Sequence, residues 1–120
     1  MKHEEVTREI IGSAMEVLNQ LKPGLDEKLY ERALCIELAE RELSAEQQKR
    51  YPVTYRDQSI GSLVPDLVVA DKVVVETKVV TCFNENHVSQ AIGYLAITGL
   101  EVALLINFKH AKLDWKRIVR

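Results

Sequence analysis

The stretch Val64-Pro65-Asp66-Leu67-Val68-Val69-Ala70-Asp71-Lys72-Val73-Val74-Val75-Glu76-Thr77-Lys78-Val79-Val80 decides the fold of this chain. Two arms rich in β-branched residues flank a polar tip at Ala70-Asp71-Lys72, which is the pattern of a β-hairpin. Strand alternation puts Val74, Glu76, Lys78 and Val80 on one face of the second arm, and Val73, Val75, Thr77 and Val79 on the other. Asp66 on the first arm falls near Glu76 or Lys78 when the turn is short. Carboxylates and an amine on a valine sheet are costly unless they pair with one another or hold a cation.

The surrounding composition sets the limits. The chain has 120 residues, 47% of them apolar, enough for one domain spanning residues 1–120 with a buried core. It has no apolar run long enough to cross a membrane, and the start Met1-Lys2-His3-Glu4-Glu5 is too polar for a secretory signal. Cys35 and Cys82 form neither a disulfide pattern nor a metal-type pair, so a reducing cytoplasm is expected. A formal net charge of −2 gives no general attraction to nucleic acid. Such a partner requires a local basic face or bound cations.

Outward from the hairpin, residues 3–21 carry Val6, Ile10, Ala14, Val17, Leu18 and Leu21 at helical spacing. Lys22-Pro23-Gly24 ends that helix. A second helix is expected from Asp26 to Arg41, with Asp26 as a cap or first-turn acid and with Glu27, Tyr30, Leu34 and Leu38 on one side. Residues 47–55 read as extended, with Pro52 suited to an edge. Arg56-Asp57-Gln58 reads as a turn, and residues 59–69 as one strand bent at Gly61. A third helix covers residues 86–98 and stops at Gly99. Glu101 to Asn107 reads as a buried strand, parallel to the Val74–Lys78 arm because a helix crosses between them, and Leu113 to Val119 as a last edge strand. A mixed sheet flanked by helices follows.

On the third helix Val88, Ala91, Ile92 and Leu95 form the apolar stripe, and His87, Gln90 and Tyr94 a second stripe beside it. One pocket then gathers Glu27, Asp66, Glu76, Lys78, Gln90 and Tyr94. Taken alone, Glu76 and Lys78 read as a solvated pair contributing at most about 1 kcal/mol, and Glu27 as a residue that favours its helix terminus. The valines around Glu76 and the Gln90/Tyr94 stripe favour the pocket. Tyr30 reads as core with its hydroxyl paired. Cys82 and His87 lack the second pair of ligands that a zinc site needs. Lys49, Arg50, Arg56, Lys109, His110, Lys112, Lys116, Arg117 and Arg120 form either a phosphate-tracking patch or scattered surface charge.

At these residues the sequence resembles a known family. Gly24-Leu25-Asp26-Glu27-Lys28-Leu29-Tyr30-Glu31-Arg32-Ala33-Leu34 matches the pattern that names the GxxExxY proteins. Pro65-Asp66 followed by Glu76-Thr77-Lys78 matches the PD-(D/E)XK nuclease signature. Gln90-Ala91-Ile92-Gly93-Tyr94 is similar to the QxxxY motif of some branches of that superfamily, and Leu104-Leu105-Ile106-Asn107-Phe108 to a late strand of the GxxExxY proteins. The resemblance implies a restriction-endonuclease-like α/β core with a mixed four- to five-stranded sheet. It implies divalent-metal-dependent phosphodiester hydrolysis of nucleic acid, DNA first. Asp66 and Glu76 would be metal ligands, with the Thr77 carbonyl as a third and Glu27 through water or at a second position. The ion would be Mg2+ or Mn2+. Lys78 would orient water or stabilise the transition state, and Gln90 and Tyr94 would position the backbone or Lys78. Thr77 stands where an apolar residue is common in the family, and alternation points it away from the site. A homodimer serving both strands is expected. The alternative is a module on the same fold that binds nucleic acid or assembles with protein without catalysis.

Overall fold

The computed structural model describes residues 2–120. Two helices, α1 (Glu4–Leu21) and α2 (Glu27–Glu40), precede the strands β1 (Ala45–Gln47), β2 (Tyr51–Tyr55), β3 (Gln58–Leu63), β4 (Leu67–Val69) and β5 (Val73–Lys78). Helix α3 (Glu85–Thr98) then leads to β6 (Val102–Asn107) and β7 (Asp114–Val119). The main sheet has five strands in the order β1-β4-β5-β6-β7. Only β5 and β6 are parallel, as the intervening helix requires.

The hairpin read from the sequence is β4–β5, paired Leu67↔Val75, Val68↔Val74 and Val69↔Val73. Its turn closes with Lys72 N–H donating to Val69 O at 2.9 Å, and Ala70 and Asp71 both take φ +54°. Two left-handed residues give a turn whose twist matches that of the strands. Strands β5 and β6 are buried along almost their whole length, because helices cover both faces of the sheet. Against one face pack α1 and α2, through Ile10, Ala14, Leu34 and Leu38 on Val73, Val75, Leu104 and Ile106. Against the other packs α3, through Ala91 and Leu95 on Val74, Ala103 and Leu105.

Four expectations are corrected. Residues 47–55 and 59–69 are not single strands; each divides between two sheets. Their outer parts, β2 and β3, form a separate two-stranded ribbon, while β1 and β4 join the main sheet. The β2–β3 ribbon is thus inserted between the main-sheet strands β1 and β4, while β4 still pairs antiparallel with β5. Gly61 does mark an irregularity: with φ +144° it sits where the β2–β3 register shifts beside Val53 and Thr54. Ile92 is 54% exposed instead of packed, since the stripe that meets the sheet narrows to Ala91 and Leu95. Asp26 holds the N-cap position of α2 but makes no side-chain capping bond. No helix among the described residues is long and apolar enough to cross a membrane.

Leu104 is fully buried at the centre of the face that α1 and α2 cover. Leu104→Ala is expected to cost about 2–5 kcal/mol, read as a lower midpoint in urea unfolding with an unchanged slope.

Candidate active site

The register of β4 with β5 places Asp66 opposite Glu76, one step past the last paired residues. There the ladder continues through side chains. Asp66 N–H donates to Glu76 Oε2 at 2.7 Å. Asp66 Oδ2 accepts from Thr77 N–H at 2.9 Å and from the Thr77 hydroxyl at 3.1 Å. Each carboxylate thus stands where a strand carbonyl would accept and is fixed by a backbone donor. Thr77 is not indifferent to the site as alternation implied. Asp66 lies beyond the end of β4, so its carboxylate reaches around to the Thr77 hydroxyl.

Glu76 is only 3% exposed, on the face that α3 covers. Burial, and next the Asp66 carboxylate, push its pKa up to about 8, although the Asp66 N–H and the Lys78 amine oppose the shift. Glu27, the first residue of α2, is half-buried. Its carboxyl is also raised, first by burial and then by Asp66, with Lys78 pulling the other way. Tyr94 on α3 has its phenol pushed up to about 12, by burial and by the carboxylates of Glu76 and Asp66. Gln90 Nε2 donates to the Tyr94 hydroxyl at 3.2 Å, and Gln90 Oε1 lies 3.4 Å from the Lys78 amine. The stripe at i and i+4 on α3 therefore links Lys78 to Tyr94. Asp66, Glu76, Lys78, Gln90 and Tyr94 come together at one end of the main sheet, and Glu27 stands near enough for Asp66 and Lys78 to act on its carboxyl through space. His87, expected in the same stripe, caps the helix instead: Asn84 N–H donates to His87 Nδ1 at 3.1 Å, and His87 N–H donates to Asn84 Oδ1 at 3.0 Å.

Other residues hold this arrangement from behind. Tyr30 is fully buried and stacks on Phe108 at 4.7 Å between centroids. Its hydroxyl donates to Lys22 O at 2.6 Å and accepts from Leu25 N–H at 3.1 Å. The loop through Gly24, which takes φ +117°, is thereby tied down just before Glu27. Glycine, glutamate and tyrosine at this spacing supply a turn, a carboxylate and an anchor. Glu31, one turn after Glu27, is 1% exposed and accepts from Gln47 Nε2 at 2.9 Å. Asn107 is fully buried and clamps the chain after Lys78, with Nδ2 donating to Val80 O at 2.7 Å and Oδ1 accepting from Val80 N–H at 3.1 Å. The sequence reading missed both. The four-residue step from Glu27 was a signal for Glu31. Nothing local marked Asn107.

The neighbouring basic residues Lys116 and Arg117 do not share a face. Alternation along β7 sends Lys116 toward Phe83 and Val88 on the α3 side, and Arg117 toward Thr7 and Arg8 of α1. A cavity of about 550 Å3 lies between Lys116 and the first turn of α3, but it includes none of the converging carboxylates. Convergent charge, not volume, marks the candidate site.

The donor set can be tested against a divalent cation. Among the described residues no three acidic, histidine or cysteine side chains are grouped to hold a metal. Asp66 and Glu76 form a pair, each with one oxygen given to the backbone and one left for another partner. A hard cation that keeps several waters needs only one or two carboxylates. The buried Glu76 charge, unfavourable beside Asp66, is what such an ion relieves. The residues fit.

The raised pKa fixes the sign of a pH effect. Glu76 ionises less readily in the fold than at its ordinary 4.5, so burying its charged form opposes folding. The metal-free protein is expected to lose stability as pH rises from about 4.5 to about 8. Glu76→Gln should flatten that part of a melting-temperature profile; an unchanged slope would remove Glu76 as its source. Thr77→Val removes one of the two donors to Asp66. It should cost about 1 kcal/mol in stability, measured by denaturant unfolding.

A family model described as PD-(D/E)XK nuclease superfamily matches residues 4–118. No curated protein matches the chain. Among solved structures, an alkaline exonuclease (LHK-Exo) from Laribacter hongkongensis aligns at 12% identity over 89% of this chain and 76% of that one, with a TM-score of 0.43. Nucleases of this superfamily generally use divalent metal ions. A five-stranded mixed sheet between helices, with Asp66, Glu76 and Lys78 at its end, is the restriction-endonuclease-like architecture, and the chain belongs to the PD-(D/E)XK nuclease superfamily.

Proposed function

We propose that this protein is a metal-dependent nuclease that hydrolyses phosphodiester bonds, with DNA as the first substrate to test and Mg2+ or Mn2+ as the ion. Within the superfamily we place it with the GxxExxY proteins, on the turn, carboxylate and anchor formed by Gly24, Glu27 and Tyr30. The observation that carries the reading is the Asp66–Glu76 pair. Two carboxylates locked by backbone donors, one of them buried, have little structural reason to face each other without a cation.

Asp66 and Glu76 would hold the ion through the oxygens that the backbone leaves free, with the Thr77 carbonyl as a further oxygen donor. Glu27 binds through water or at a second position. Such an ion would supply charge neutralisation at the phosphate and a more acidic water. Lys78 would place its ammonium beside the attacking water or the negative charge developing on the phosphate. Gln90 restrains the Lys78 amine, and Tyr94, protonated at neutral pH, fixes Gln90. A non-catalytic binding module is the second reading, favoured by the net charge of −2.

Purified protein incubated with nicked, branched, duplex and single-stranded DNA and RNA plus Mg2+ or Mn2+ tests the assignment. Glu76→Ala and Lys78→Ala should each lower cleavage about a hundredfold or more. Cleavage that persists in both would discredit the site. Calorimetric titration with Mg2+ separates the two readings: a site lost in Asp66→Asn supports the nuclease, and no binding by the parent protein supports the module. The expected homodimer is read by light scattering, where a monomer at working concentration counts against it.

A further inference from the structure

The β2–β3 ribbon takes no part in the main sheet, and nothing in the site just described uses it. Its two roots are both at that site. The chain leaves the main sheet at Gln47, which bonds Glu31, and returns through Pro65-Asp66 to Leu67; Gln47 and Leu67 are paired in register. The ribbon therefore springs from the rim where Asp66 and Glu76 meet, and β2 packs beside α3, which carries Gln90 and Tyr94.

Its surface is net positive. Residues 49–63 hold three basic residues and one acidic, in a protein of net charge −2. Lys49 is tied to Asp71 and Glu46. Arg50 and Arg56, among the described residues, form no ion pair with a carboxylate. Arg50 bonds the Ser62 hydroxyl across the ribbon at 2.7 Å, which fixes the guanidinium on its Pro52–Ser62 face. Arg56 sits at the tip, with its guanidinium 5.7 Å from the Tyr55 ring centre. Tyr55 and Ile60 are about two-thirds exposed. At the tip Arg56 and Asp57 both take positive φ, and Tyr55 pairs with Gln58 in the tightest kind of hairpin. The result is a narrow, stiff, two-stranded arm with cations near its root and at its tip. Two-stranded ribbons of this width enter the major groove of a duplex, and guanidinium groups pair with phosphates.

We propose that the β2–β3 ribbon is a nucleic-acid-gripping arm that lies along a duplex, with Arg50 and Arg56 on phosphates, and presents the strand to the Asp66–Glu76 pair. This rests on the nuclease reading and names the surface by which such a substrate is held. It also gives an acidic chain a net positive element beside the site with which to hold a polyanion.

Fluorescence anisotropy with a labelled duplex, in EDTA so that no cleavage occurs, tests the arm separately from catalysis. Arg50→Ala combined with Arg56→Ala should weaken binding about tenfold or more and lower the slope of log affinity against log salt by about 2. Tyr55→Ala should weaken binding further. Arg8→Ala, an exposed charge on α1, is the control and should change neither. Circular dichroism checks that the variants remain folded. Unchanged affinity and salt slope in the double variant overturn the arm while leaving the nuclease reading intact. A parent protein that binds neither duplex nor single strands in EDTA also overturns the arm, and the nuclease reading then stands or falls with the cleavage assay. Loss of self-association without loss of duplex binding also overturns the arm, and assigns the ribbon to contacts between copies of this chain.

Discussion

Glu76 is a carboxylate inside a sheet of valines, and the neighbourhood is arranged around the difficulty of keeping it there. Burial works against its charge, and Asp66 adds to the repulsion. What offsets this within the chain is a short bond from Asp66 N–H, with the Lys78 amine nearby. Two hydrogen bonds from Thr77 then fix Asp66 in the matching place. The carboxylate pair is rigid because it extends a β-ladder. A rigid pair presents its remaining oxygens in one geometry, which a cation site requires.

The helices supply the rest of the setting. Helix α2 begins at the site and is pinned there by the Tyr30 hydroxyl on the preceding loop and by the Tyr30–Phe108 stack behind it. Phe108 follows β6, so the anchor of α2 rests on the strand that also carries Asn107. Asn107 in turn clamps the segment that leaves Lys78. Acidic and basic members of the site are therefore fixed through adjoining residues on one strand end. Helix α3 closes the opposite side with Gln90 and Tyr94, which join Lys78 to the phenol without any charged partner on the helix itself.

Charge is divided in the same spirit. The carboxylates gather at the end of the main sheet, while the unpaired arginines of the ribbon stand outside it. A net charge near zero hides this separation. On β7 the alternation of the strand sends Lys116 and Arg117 to opposite faces.

The β4–β5 hairpin, the parallel β5–β6 crossover and the three helices were all legible in the sequence. Each rests on a short-range rule: alternation by twos, spacing by threes and fours, and turn chemistry. The convergence of Asp66, Glu76, Lys78, Gln90 and Tyr94 was legible for the same reason, since every one lies on an element whose facing those rules fix. The division of residues 47–69 between two sheets was not legible, although the turn at Arg56-Asp57 and the irregularity at Gly61 were. Whether an extended segment pairs with the core or with its own neighbour depends on which partner strand is free, and local pattern does not carry that information. So β1 and β4 joined the sheet, and β2 with β3 became an arm. Glu31, Asn107 and the Thr77 hydroxyl were missed for a related reason: their partners lie 11 to 27 residues away. The sequence by itself determined the kinds of element and the residue types that converge. Only the tertiary structure decided which backbone groups hold the carboxylates in place and which strands were left over to project, because hydrogen bonds between distant segments exist only once the chain has closed on itself.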